Sequence, residues 1–140
     1  MKKWFLAIIL MLTLSACSSQ ESLEWEVTPA FTYEDLLLYG EEGAFGIQKV
    51  NGTADEHPFL VNQGRHYKLY FLSPQFEGTH YKLIATHESD EKSVLLYEST
   101  VSGIESGGKW GFDKSGLWKL EVWVDGETFA AFIIEAKDIV

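Results

Sequence analysis

Cysteine is almost absent from this chain of 140 residues; Cys17 is the only one, so no internal disulfide can form. Arginine is as scarce, with Arg65 alone, which excludes an arginine clamp for phosphate or carboxylate. Basic side chains number 11 against 21 acidic ones, a net charge of −10. That balance excludes nucleic acid, because neutralising phosphates takes clustered Lys and Arg. No apolar run reaches the roughly 20 residues of a spanning helix, and no long stretch carries a 3.6-residue period. What is present is an ordinary globular composition, 46% apolar and 14% aromatic, at the length of one domain.

The N-terminus is an address rather than structure. Met1-Lys2-Lys3 precedes the eleven-residue apolar run Trp4–Leu14, which ends in the small residues Ser15 and Ala16 before Cys17. Leu14-Ser15-Ala16-Cys17 resembles the lipobox of bacterial lipoprotein signals. That resemblance implies a diacylglyceryl group on Cys17, removal of residues 1–16, and a durable anchor of more than one acyl chain. The expected location is the cell membrane, lipid-anchored on its extracytoplasmic face, with the membrane as first partner. Losing Lys2 and Lys3 leaves nine basic side chains against 21 acidic ones. Residues 17–22 form a polar tether of about 15–20 Å at ~3.3 Å per residue.

Residues 23–140 read as one all-β domain. Apolar and β-branched stretches predict strands at Ala44–Val50, Arg65–Leu72, Tyr81–His87, Ser93–Ser99, Leu117–Val124 and Thr128–Glu135. A seventh is expected at Glu24–Val27 or Lys109–Phe112, and Tyr33–Leu38 has the composition for a helical turn. All twelve glycines follow residue 39, mostly between these stretches. About seven short strands with turn residues between them predict an antiparallel sandwich.

The C-terminal hairpin carries the sharpest expectation. Asp125-Gly126 suits a two-residue type I′ turn, where both residues take positive φ. That turn pairs Val122 with Phe129, Leu120 with Ala131 and Trp118 with Ile133, and turns these six toward the core. The other face then carries Lys119, Glu121 and Trp123 beside Phe132, too apolar for free solvation. Trp123, Phe132, Lys119 and Glu121 are therefore a candidate binding face, since exposed aromatics anchor interfaces. The alternative is that the apolar segment Leu23–Leu38 folds over this face and buries it.

Trp110–Phe129 resembles the closing strands of immunoglobulin-like domains in small Gram-positive lipoproteins: a glycine corner, a Trp-x-Leu strand, then an Asp-Gly hairpin. Tyr39–Gly46 and Pro58–Leu60 resemble the N-terminal half of the same uncharacterised family. The resemblance implies an immunoglobulin-like antiparallel β-sandwich without the inter-sheet disulfide, and no established activity.

Catalytic constellations are missing. Ser102-Gly103 and Ser106-Gly107 lack the spacing of a nucleophile elbow. His87-Glu88-Ser89-Asp90-Glu91 has no second histidine for a zinc helix, and Glu88–Glu91 lacks the alternating oxygens of a calcium loop. His57, His66, His80 and His87 show no ligand spacing, so neither metal nor cofactor is expected. The pairs Glu34-Asp35, Glu41-Glu42 and Asp90-Glu91 are adjacent acids in turns, not carboxylates facing across a cleft. The expected function is a non-catalytic binding or adaptor module whose charge favours a protein or cationic peptide partner. The alternatives are a cell-envelope enzyme or inhibitor, and an immunity-type lipoprotein sequestering cationic peptides.

Overall fold

A computed structural model describes residues 25–90 and 92–138. Among these, nine strands form two antiparallel sheets stacked as a sandwich: β1 Phe31–Tyr33, β2 Leu36–Glu41, β3 Phe45–Lys49, β4 Arg65–Phe71, β5 His80–His87, β6 Ser93–Thr100, β7 Glu105–Trp110, β8 Gly116–Val124 and β9 Glu127–Ala136. One sheet runs β1-β2-β3-β4-β7 and the other β6-β5-β8-β9. The first four strands all share one sheet, whereas the constant-type immunoglobulin order splits its first three between two. The likeness to immunoglobulin domains is thus one of architecture rather than strand order. The lipobox, Cys17 and the tether lie outside the described residues.

Six of the strands form within one residue of their expected bounds. The seventh does not. Residues 25–27 are not a strand, and β7 starts at Glu105 and ends at Trp110, before Phe112. Gly107 and Gly108 disguise it, because glycine is depleted from strands. Both are needed for close approach. A Cβ on Gly108 would lie 2.2 Å from the Tyr97 ring, and one on Gly107 would lie 2.7 Å from the Tyr67 carbonyl. Tyr97 crosses from β6 and donates to the Gly107 carbonyl at 2.6 Å, closing one side of the sandwich. On the other side β2 runs beside β9, and the segment 59–62 is strapped to Lys137 and Phe112 through backbone bonds of 2.7–3.0 Å.

Tyr33–Leu38 is not a helical turn. Glu34 and Asp35 take φ of 46° and 66°, a two-residue turn that pairs Tyr33 with Leu36 and Phe31 with Leu38. The turn type matches Asp125-Gly126, but the residues that make it are not the ones that advertise it.

The β8–β9 register differs from the expected one. The turn does pair Val124 with Glu127 and Trp123 with Thr128, but a bulge follows and Val122 then faces Ala130, Leu120 faces Phe132 and Trp118 faces Ile134. One extra residue on β9 exchanges the faces of everything beyond it. Phe132 is therefore inside, 3% exposed and stacked on Phe45 at 5.9 Å, while Ala131 is outside. On β8 the expected inward residues Trp118, Leu120 and Val122 are buried as read.

Those side chains meet Phe45, Ile47, Tyr67, Leu69 and Phe71 from the opposite sheet in one continuous core. Tyr67 stacks on Trp110 at 4.5 Å, and the Tyr81 hydroxyl, pushed up to about 12 by burial, donates to Ser106 Oγ at 2.6 Å. A second apolar cluster sits outside this core. Phe31, Leu38 and Tyr70 pack over Gly46 on the outer face of the five-stranded sheet, where a Cβ would come within 2.7 Å of Leu38. The N-terminal hairpin thus covers part of the five-stranded sheet's outer face, not the outward face of β8 and β9. The segment 26–29 ahead of it runs along the β9 edge: Thr28 N–H donates to the Ile133 carbonyl at 3.0 Å, and its hydroxyl accepts from Ile133 N–H at 2.9 Å.

Candidate ligand clefts on the four-stranded sheet

Alternation along β8 turns Leu117, Lys119, Glu121 and Trp123 outward, each half-buried. Trp123 lies directly across from Lys82 on β5 and Thr128 on β9. Its indole Nε1 has no accessible surface and no hydrogen-bond partner. What the half-exposed ring shows to solvent is therefore carbon. Around it opens a cleft of about 330 Å³, floored by Trp123 and Ile84 and rimmed by His80, Lys82 and the Asp125-Gly126 turn.

Four residues down the same strand, Lys119 borders a second cleft of about 320 Å³, walled by the segment 26–29 and Ile133. Between the two, Lys119 Nζ meets Glu121 Oε1 at 3.1 Å, so Glu121 enters the surface already neutralised. Thr128 adds a long hydroxyl contact to Glu121 at 3.5 Å.

Of the candidate binding face, the structure keeps Trp123, Lys119 and Glu121 together on one surface and removes Phe132 to the core. Cys17 lies outside the described residues. Sequence reasoning missed His80, Lys82, Ile84 and Asp125. The signal for His80, Lys82 and Ile84 was the β5–β8 pairing, which puts Lys82 opposite Trp123, and no local pattern in either strand specifies that pairing; Asp125 comes from the hairpin turn two residues past Trp123.

The histidines stay apart. His57 Nε2 donates to the Glu135 carbonyl at 2.6 Å, His66 is exposed on β4, and His80 lies 4.0 Å from Glu98. His87 is buried, accepting from Ser89 N–H at 3.0 Å and donating to the Ser115 carbonyl at 2.8 Å. Among the described residues no three His, Cys, Asp or Glu side chains are placed to hold one metal ion. Arg65 is also structural: 3% exposed, it pairs with Glu56 and ties down the loop between β3 and β4. The stretch after His87 is a turn closed by Asp90 N–H on the His87 carbonyl at 3.0 Å. Lys114 bonds Asp90 at 2.5 Å and holds its carboxyl below the usual range.

These features define a β-sandwich with an open, cleft-bearing sheet face. Neither a protein-family model nor a curated protein matches the chain. Among solved structures, it is similar to a putative lipoprotein from the Gram-positive bacterium Bacillus anthracis, with a TM-score of 0.66 and 23% identity over 80% of this chain and 86% of that one. This likeness is one of fold. A looser match, TM-score 0.45 at 11% identity over 69% of this chain and 80% of that one, is to superoxide reductase (neelaredoxin) from Ignicoccus hospitalis.

Proposed function

We propose that this chain is a lipid-anchored, extracytoplasmic binding module without catalytic activity, and that its ligand sits on the outward face of β8. The observation that carries the reading is Trp123: a large ring left partly exposed over an open cleft on the outer face of the four-stranded sheet. Large apolar side chains in concave, partly polar surroundings are the usual makings of a ligand site. The anchor rests on the lipobox at Leu14–Cys17, and the name of the Bacillus anthracis neighbour is in keeping with it.

Two measurements test the two halves. Intact-mass analysis of detergent-extracted protein should show Cys17 as the first residue, carrying acyl groups, and Cys17→Ser should release the chain from membranes. An unprocessed or unacylated N-terminus refutes the anchor. Trp123→Ala should abolish retention of cell-envelope ligands while the domain stays folded, with a cooperative thermal transition. Full retention by a folded Trp123→Ala protein refutes the sheet-face site.

A further inference from the structure

We propose that the cleft around Trp123 binds an uncharged saccharide, with one sugar ring stacked on the indole. This rests on the binding-module reading above and adds the class of ligand.

Three observations converge on it. The first is the surface that Trp123 presents. With Nε1 hidden, the indole offers a carbon face beside the aliphatic Ile84, which matches the C–H face of a pyranose rather than a hydrogen-bonding edge. Around that floor stand Lys82, His80 and Asp125, donors and an acceptor set to meet the equatorial hydroxyls of a ring lying flat.

The second is charge. A net charge of −10 works against a polyanion approaching the domain. The cleft around Trp123 is itself near neutral: Lys82 and His80 face Asp125 across it, and further down β8 Lys119 and Glu121 pair with each other. A cationic peptide finds no net opposite charge there to hold it. An uncharged, hydroxyl-rich ligand needs none.

The third is size. The cleft around Trp123, about 330 Å³, lies at the small end of ligand pockets, room for a short saccharide rather than a folded partner.

The test is a ¹H–¹⁵N NMR titration of the full chain in detergent, using chitotriose and cellotriose as saccharide probes and a lysine octapeptide as the charged control. Saccharide should shift the backbone resonances of Lys82, Ile84, Trp123 and Asp125. Trp123→Ala should weaken binding about tenfold or more, a stacking anchor's contribution. Trp123→Phe should restore most of it, and Trp25→Ala should change nothing. Cleft shifts with the lysine peptide but with neither saccharide would overturn the ligand class and leave the binding-module reading standing. If no probe moves the cleft resonances, or Trp123→Ala binds as tightly as the native chain, the proposal is overturned; undiminished binding by the folded variant removes the sheet-face site as well.

Discussion

The two sheets of this sandwich expose their outer faces very differently. The five-stranded sheet is covered over Gly46 and Tyr70 by its own N-terminal hairpin, which sets Leu38 on the bare backbone of Gly46 with Phe31 beside it, while His66, Lys68 and Lys109 stay exposed. The four-stranded sheet has no such cover. It keeps a half-exposed tryptophan, one ion pair and two clefts, with only the segment 26–29 along its edge. An apolar outer face can be closed by the chain or left for something else to close. Glycine marks the closed one, because a side chain at position 46 would hold the hairpin off. The open face has side chains at every outward position of β8.

The contrast can be broken most forcefully at Phe132. Phe132→Ala should cost about 3–5 kcal/mol, as for a core aromatic, and lower the denaturation midpoint accordingly. A silent substitution, measured by urea titration, would return Phe132 to the open face and undo the register. Alkaline titration compares inside with outside. Burial pushes the Tyr81 hydroxyl up to about 12 and Tyr67 higher still, so the fold favours their neutral forms. The stability this contributes is complete below pH 10, the ordinary value, and is lost as the pH rises from there toward 12. Tyrosinate absorbance should therefore rise in two stages, exposed rings first and these two only as the circular dichroism collapses.

Gly46→Val should cost about 1–3 kcal/mol by forcing Leu38 outward. Hydrogen exchange should quicken in β1 and β2 while β8 and β9 stay protected. Trp123→Ala should cost about 1–2 kcal/mol, less than a core aromatic, since part of its ring faces solvent. The smallest effect is expected at the β1–β2 turn. Glu34 holds a positive φ of 46° that asparagine tolerates better, so Glu34→Asn should stabilise by up to about 1 kcal/mol, seen as a slightly higher thermal midpoint.

Sequence pattern revealed the sandwich because alternation survives in six strands whose inward residues are large and apolar. It failed where backbone geometry rather than side-chain character decides. β7 is a strand despite Gly107-Gly108, because Tyr97 and the Tyr67 carbonyl need the room. The β1–β2 turn is built from Glu34-Asp35, where Glu34 does not favour its positive φ and no glycine marks the turn. The candidate site was half legible for the same reason. Alternation along β8 put Trp123, Lys119 and Glu121 outward without any knowledge of the partner strands. Phe132 required the β9 register, which the bulge displaced, and Lys82 required knowing that β5 lies beside β8.

The bulge itself has an evolutionary consequence. Deleting the Phe129 codon would restore the unbroken hairpin ladder and still leave Val122 opposite Ala130 and Leu120 opposite Phe132, so the residues beyond it would keep their faces. One short indel at this corner would thus be absorbed by the loop of the hairpin rather than by the core. Homologues of this domain that differ by one residue there are therefore expected to share the same interior on β9 and to vary only at the hairpin tip.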